Sequence, residues 1–362
     1  MESIKGTGEK SNYHTFPGAL LSSFFSLVVG LSQKYLHAPT VIDGGFVESI
    51  KGTGEKSNYR TFPGALLSSF ASLVSGASVG PEGTIAVLVG DISCFVREKL
   101  HIANDSETTA LGFDVAALAS AFNGIIGSVL FTAIFATEFQ VGGKRDAIRF
   151  LTWNLLAGSI GFLFYLLLGL PSFASAIPFT PIVELHPIYV VYAILFGLVG
   201  SGLAIFTGLA MQGAGVLLEK GFQDRPVQRT LAVGAVVAVV TYFLPVLLFS
   251  GEFQIYGIID NPIQIGIEML LLLAILKVLL LAISFKGGYI GGPVFPILFS
   301  STLIALAINL AFPFIPISIL VLCIEVGAIA LALGAPLTAI LLVVVVGTAD
   351  QYMIVLVVVS AV

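Results

Sequence analysis

Glu82 is the side chain in this sequence best placed to do chemistry. It sits in Ser78-Val79-Gly80-Pro81-Glu82-Gly83-Thr84, inside a chain that is otherwise almost all lipid-soluble. Gly80-Pro81 reads as a helix beginning. Proline at the first helical position has φ already set, and its missing N–H would have had no partner within the helix. Glu82 then falls in the first turn, where unpaired backbone N–H groups point outward and the helix dipole is positive. A second stretch, Gly287-Gly288-Tyr289-Ile290-Gly291-Gly292-Pro293-Val294-Phe295-Pro296, repeats the grammar far down the chain. Two helix starts with a carboxylate at one of them suggest a site that handles small anions. A plainer role competes: a helix-start Glu complements the dipole, worth about 0.3–1 kcal/mol when exposed and up to about 2 when partly buried. Burying a carboxylate inside a membrane is costly, and that tips the reading toward function.

Other residues carry weaker signals. Lys277 lies in the middle of an apolar run, where it could counter a carboxylate or snorkel to an interface. Glu138, Glu268 and Glu325 lie near span ends or in apolar runs and read as interface or packing residues rather than a proton relay. Gly76-Ala77-Ser78-Val79-Gly80 matches the Gly-x-Ser-x-Gly nucleophile pattern. That elbow needs a strand-to-helix turn with a histidine and an acid to serve it, and here the flanking pattern is helical. The match reads as chance. Four histidines (His14, His37, His101, His186) have no ligand spacing, so no transition-metal site is expected. Cys94 and Cys323 sit beside or inside apolar runs and read as buried free thiols.

The elements that must position these residues are membrane helices. Hydrophobic residues make up 57% of the chain and charged residues 10%, with a mean hydropathy of +1.03. Soluble domains carry about 25% charge, so the chain is expected to be an all-α, polytopic membrane protein. No cleavable signal is evident, because the first sixteen residues are polar and no small-residue cleavage site follows 19–31. The pieces at 62–75 and 84–96 are each shorter than the ~20 residues that span a bilayer, which makes them broken or re-entrant helices. Irregular backbone at membrane depth survives only where it is buried in protein or lines a cavity. The run 111–139 is long enough for two short helices or one tilted span. Further runs cover 150–170, 188–218, 231–249, 262–285, 297–312, 317–333, 336–346 and 352–362. Gly197, Gly200 and Gly202 suggest close helix packing. Lys and Arg cluster at 97–99, 144–149 and 220–229, which places those loops in the cytoplasm and the proline-rich loop 171–187 outside.

The chain also carries a direct repeat. Glu2–Ser32 matches Glu48–Ser78 at 27 of 31 positions, differing at His14/Arg60, Phe25/Ala71, Val29/Ser75 and Leu31/Ala77. Two copies do not make a solenoid. The first copy lacks the acidic turn and reads as a partial duplication or a misassigned start, whose apolar run sits against the membrane. Three segments are expected: an extension over 1–47, a first membrane half over 48–230, and a second over 231–362. The final run stops while still apolar, which suggests truncation.

With these residues in place, the sequence resembles the CLC family of chloride channels and proton-coupled chloride transporters. Gly80-Pro81-Glu82-Gly83-Thr84 is similar to that family's Gly-Arg/Lys-Glu-Gly-Pro motif, with Pro81 replacing the basic residue and Thr84 the proline. Leu276-Lys277 through Gly292-Pro293-Val294-Phe295-Pro296 resembles its late lysine-bearing helix leading to Gly-Gly-x-Phe-x-Pro. Ala335-Pro336-Leu337-Thr338-Ala339-Ile340-Leu341 with Thr348-Ala349-Asp350-Gln351-Tyr352 resembles a third stretch, and Ala121-Phe122-Asn123-Gly124 a fourth.

The resemblance implies a homodimer with one pore per subunit, and an inverted-repeat fold whose broken helices aim their N-termini at a chloride. It implies an ion channel or transporter rather than an enzyme, with no cofactor and no nucleic-acid partner. Chloride or a similar small anion would be the cargo, with protons a candidate second one. Glu82 would be the gate, and Gly80, Gly83, Gly292, Val294 and Phe295 the anion-binding positions; Pro293 offers no N–H. The family's upstream Gly-Ser-Gly-Ile-Pro turn has only a vague counterpart at Gly44-Gly45-Phe46, and its pore tyrosine would lie past Val362. The proton-relaying glutamate of the exchangers falls on Phe135, one turn from Glu138, which favours a loosely coupled or uncoupled conductance. Two rival readings are a different inverted-repeat carrier for another anion, and a truncated membrane protein that transports nothing.

Overall fold

The computed structural model describes residues 16–40, 59–102, 107–138, 147–170, 172, 179, 181–252 and 254–362. Gly44-Gly45-Phe46, Lys144, Arg145 and most of the proline-rich loop lie outside the described residues. The described residues form helices α1 (Phe16–Tyr35), α2 (Phe62–Val74), α3 (Pro81–Lys99), α4 (Glu107–Ile126), α5 (Phe131–Glu138), α6 (Ala147–Leu167), α7 (Pro187–Phe222) and α8 (Pro226–Phe243). They continue as α9 (Gln254–Asp260), α10 (Pro262–Ile265), α11 (Ile267–Lys286), α12 (Val294–Ala311), α13 (Ile317–Leu333), α14 (Pro336–Val346) and α15 (Gln351–Ala361). Six of them are long and apolar enough to cross a membrane: α4, α6, α7, α8, α11 and α12. The chain is an all-α, multi-pass integral membrane protein.

Proline and glycine set the helix boundaries. Pro81 and Pro336 each occupy the first helical position of their helix, and Pro293 immediately precedes the first residue of α12. The run 111–139 resolves into α4 and α5 because Gly127 takes φ +78° between them. Asn123 joins the two: its side chain accepts from the Thr132 N–H at 3.0 Å and donates to Val129 O at 2.8 Å.

The backbone clusters into two compact units. The first comprises Met1–Asp43, Pro63–Thr84 and Gly202–Val321; the second comprises Gly44–Phe62, Ile85–Ser201 and Leu322–Val362. In the first unit α1 packs along α8, and α11 packs along α12. The described part of the first copy, 16–32, therefore belongs to a helix packed within this unit. Ser22, Ser26 and Ser32 of α1 are buried, and the Ser22 hydroxyl donates to Ser75 O of the second copy at 2.5 Å.

One of the four differing positions, Val29/Ser75, bears on why near-identical sequences end differently. In the second copy the Ser75 hydroxyl accepts from the Ala77 N–H at 3.3 Å while donating to Ser72 O, and Gly76 turns to φ +83°. In the first copy Val29 replaces that serine, and α1 runs on to Tyr35. The serine hydroxyl offers the backbone a non-helical partner; valine does not.

In the second unit α4 packs along α6, and α14 meets α5 and α15. Gly197 and Gly200 do permit close helix packing: a Cβ at Gly197 would lie 2.5 Å from Ser360 O, and one at Gly200 would meet Ala328 N at 2.7 Å. Gly202 does not take part, since nothing lies within 4 Å of its Cβ position.

Candidate functional site

The first unit brings the two Gly-Pro turns together. Gly80 and Gly292 face each other as an isolated antiparallel bridge, with Gly80 N–H to Gly292 O at 2.7 Å and Gly292 N–H to Gly80 O at 2.8 Å. The approach is close enough to demand glycine. A Cβ on Gly291 would sit 2.5 Å from Val79 Cβ, and one on Gly292 would collide with the Glu82 carboxylate. Gly80 and Gly292 thus use their own N–H groups on each other and enter the site as points of backbone contact. Gly83 is buried against the Gly291 carbonyl, where a side chain has no room.

That bridge delivers Glu82 to the N-terminus of α12. Its Oε1 accepts from the Val294 N–H at 2.7 Å, and the Phe295 N–H also faces the carboxylate. Oε2 is sealed from solvent and has no well-formed hydrogen bond. Among the described residues no basic side chain neutralises the charge: what surrounds it is the backbone of two helix starts, which stabilises an anion without binding it as a fixed cation would. Leaving a buried carboxylate oxygen unpaired costs energy.

Lys277 is fully buried in the same unit and does not snorkel. Its Nζ donates to Leu247 O at 3.1 Å and Phe249 O at 2.5 Å, and lies 5.0 Å from the Phe299 ring centroid. Glu252 lies within electrostatic reach of both Lys277 and Glu82, its carboxylate accepting from the Ser250 hydroxyl. The ammonium therefore holds the segment after α8 in place. Sequence reasoning missed Ser250 and Glu252; the signal was a polar Ser-Gly-Glu triplet between apolar runs.

Elsewhere the candidates are structural. Glu138 clamps the start of α14, accepting from Leu337 N–H at 2.8 Å, Thr338 N–H at 2.9 Å and the Thr338 hydroxyl at 2.7 Å. Phe135 is buried beside Phe131. Asp350 caps α15 through Tyr352 N–H and Met353 N–H. Glu325 is buried within α13, and Glu268 is exposed in the first turn of α11. Cys94 and Cys323 are both buried free thiols. Ser78 follows a helix rather than a strand, and its buried hydroxyl has no hydrogen-bond partner, so it has no base to activate it.

A family model described as voltage gated chloride channel matches residues 25–362. This chain belongs to the voltage-gated chloride channel family. The family consists of ion channels and transporters. Solved structures agree on the fold of a CLC protein. A slow cyanobacterial Cl⁻/H⁺ antiporter is similar with a TM-score of 0.73 and 20% identity, over 95% of this chain and 82% of that one. A CLC-type fluoride/proton antiporter is similar with a TM-score of 0.73 and 18% identity, over 99% and 88%. A eukaryotic CLC transporter is similar with a TM-score of 0.67 and 17% identity, over 99% of this chain and 65% of that one. No curated protein matches the chain.

Proposed function

We propose that this CLC-family chain conducts chloride or a similar small anion past the α3 and α12 N-termini, with Glu82 as the gate. The supporting observation is the Val294 N–H held by Glu82 Oε1 at 2.7 Å while Oε2 is buried without a partner. A carboxylate sitting on helix-start amides occupies the place an anion would take. Charged, it competes with the anion; protonated or displaced, it frees the Val294 and Phe295 amides. Gly80, Gly83 and Gly292 act by bringing the two backbones together.

Coupling to protons depends on a second titratable group. Phe135 is apolar where the family resemblance puts that group, and Glu138 has both oxygens bonded at α14. These features favour a loosely coupled or uncoupled conductance. Strict exchange is the second reading, supported by two similar structures that are proton antiporters. By the same resemblance the working unit is a homodimer.

The test is chloride efflux from vesicles containing the full chain, with Glu82→Ala alongside. Efflux above protein-free vesicles that Glu82→Ala alters at least about tenfold supports the gate. Efflux unchanged by the substitution removes Glu82 from it.

A further inference from the structure

The loop between α11 and α12, residues 287–293, is held at nearly every polar group. Arg229 donates to Gly287 O at 3.1 Å, and the Gln33 amide donates to Gly288 O at 2.5 Å while accepting from Arg229 at 3.3 Å. The Tyr289 hydroxyl lies 2.8 Å from both Ser26 Oγ and Thr230 O. The Ile290 N–H donates to Ser72 Oγ at 3.0 Å, and Ile290 O accepts from the Thr84 hydroxyl at 3.1 Å. Gly292 closes the set through its bridge to Gly80.

Ser26 and Ser72 are the same residue in the two copies of the repeat, 46 positions apart (72 − 26). They hold consecutive residues of one loop, Ser26 from α1 and Ser72 from α2. Gln33 lies immediately past the repeated stretch, where the first copy continues as helix and the second turns toward Gly80. All these side chains except Arg229 are buried, and Tyr289 is fully so. Gly288 takes φ +94°, and a Cβ there would come within 2.8 Å of the Gln33 amide, so the loop is shaped around α1. A helix that merely filled space would need none of these polar pairings, since each buried hydroxyl left unpaired is costly.

We propose that α1, which carries the end of the first copy, is a working part of the anion site, with Ser26 and Gln33 as positioning residues. Acting through Tyr289 and Gly288, they fix the loop whose far end sets the Val294 amide against Glu82. Ser72 does the same through Ile290, so the duplication has supplied two anchors from one sequence. This rests on the anion-site reading for its functional consequence, but the anchoring itself does not.

The experiment uses the full chain with Ser26→Ala, Tyr289→Phe and the double variant, and takes two readouts. Hydrogen–deuterium exchange in detergent follows the backbone of 286–297. Each single variant should speed exchange there at least about threefold, with the double no faster than the faster single, because both remove one shared bond. In vesicles each should raise the half-saturating chloride concentration about three- to tenfold with maximal flux nearly kept, again without addition in the double. A purely structural serine would lower the melting temperature while leaving half-saturation and the exchange of 286–297 in step with the rest of the protein; that overturns the proposal. Gln33→Leu is the second probe if Ser26→Ala fails to fold, with the same two outcomes. If the unsubstituted chain carries no chloride, the anion-site reading fails, and exchange alone decides the anchoring.

Discussion

At the residue scale the protein places charge inside a membrane and compensates it in two ways. Glu82 receives backbone N–H groups and no cation, leaving one oxygen unpaired. Lys277 receives two carbonyls and an aromatic face. The first arrangement is easily broken and the second is not. Lys277→Met should therefore strand the Leu247 and Phe249 carbonyls and cost about 3 kcal/mol of stability, read as a lowered unfolding temperature in detergent. Both residues stood out in the sequence as intramembrane charges, but their partners did not. The partners are main-chain atoms, and backbone N–H and C=O groups carry no trace in residue identity.

At the element scale the site is a meeting of helix starts. Pro81, Pro293 and Pro336 announced three of them, because proline fits only where a helix N–H has no partner to give. The 13-residue α2 was legible from the same punctuation, while α3 runs 19 residues from Pro81 to Lys99, longer than the expected piece 84–96. What composition could not show was which start meets which carboxylate. Glu82 of α3 meets the start of α12 and Glu138 of α5 the start of α14, and neither pairing is local in sequence. Gly292→Ala should push the Glu82 side chain off Val294, since the new Cβ would occupy the carboxylate's place. The expected result is efflux altered in the same direction as Glu82→Ala, with no further change in the double variant. Glu138→Gln should loosen α14, costing about 1–2 kcal/mol by the loss of a charged cap, and leave half-saturation for chloride unchanged.

At the scale of the whole molecule the membrane class followed from composition alone, and the family from four degenerate motifs in order. The contacts of the repeat were not legible, because direct duplication without the acidic turn offers no pattern that names a partner. Its use depends on Gln33 and Ser26 reaching residues more than two hundred positions away, which no local pattern records. For a homodimer, mass measurement in detergent should give twice 38.0 kDa of protein; a monomer that still conducts would remove the dimer from the account. The central claim is that a charged Glu82 and an anion compete for the same amides. Chloride efflux from vesicles, measured as pH is lowered, tests it most directly. The unsubstituted chain should conduct more as Glu82 takes up a proton, and Glu82→Gln should conduct at a high, pH-independent level. An unchanged pH profile in Glu82→Gln would contradict the account.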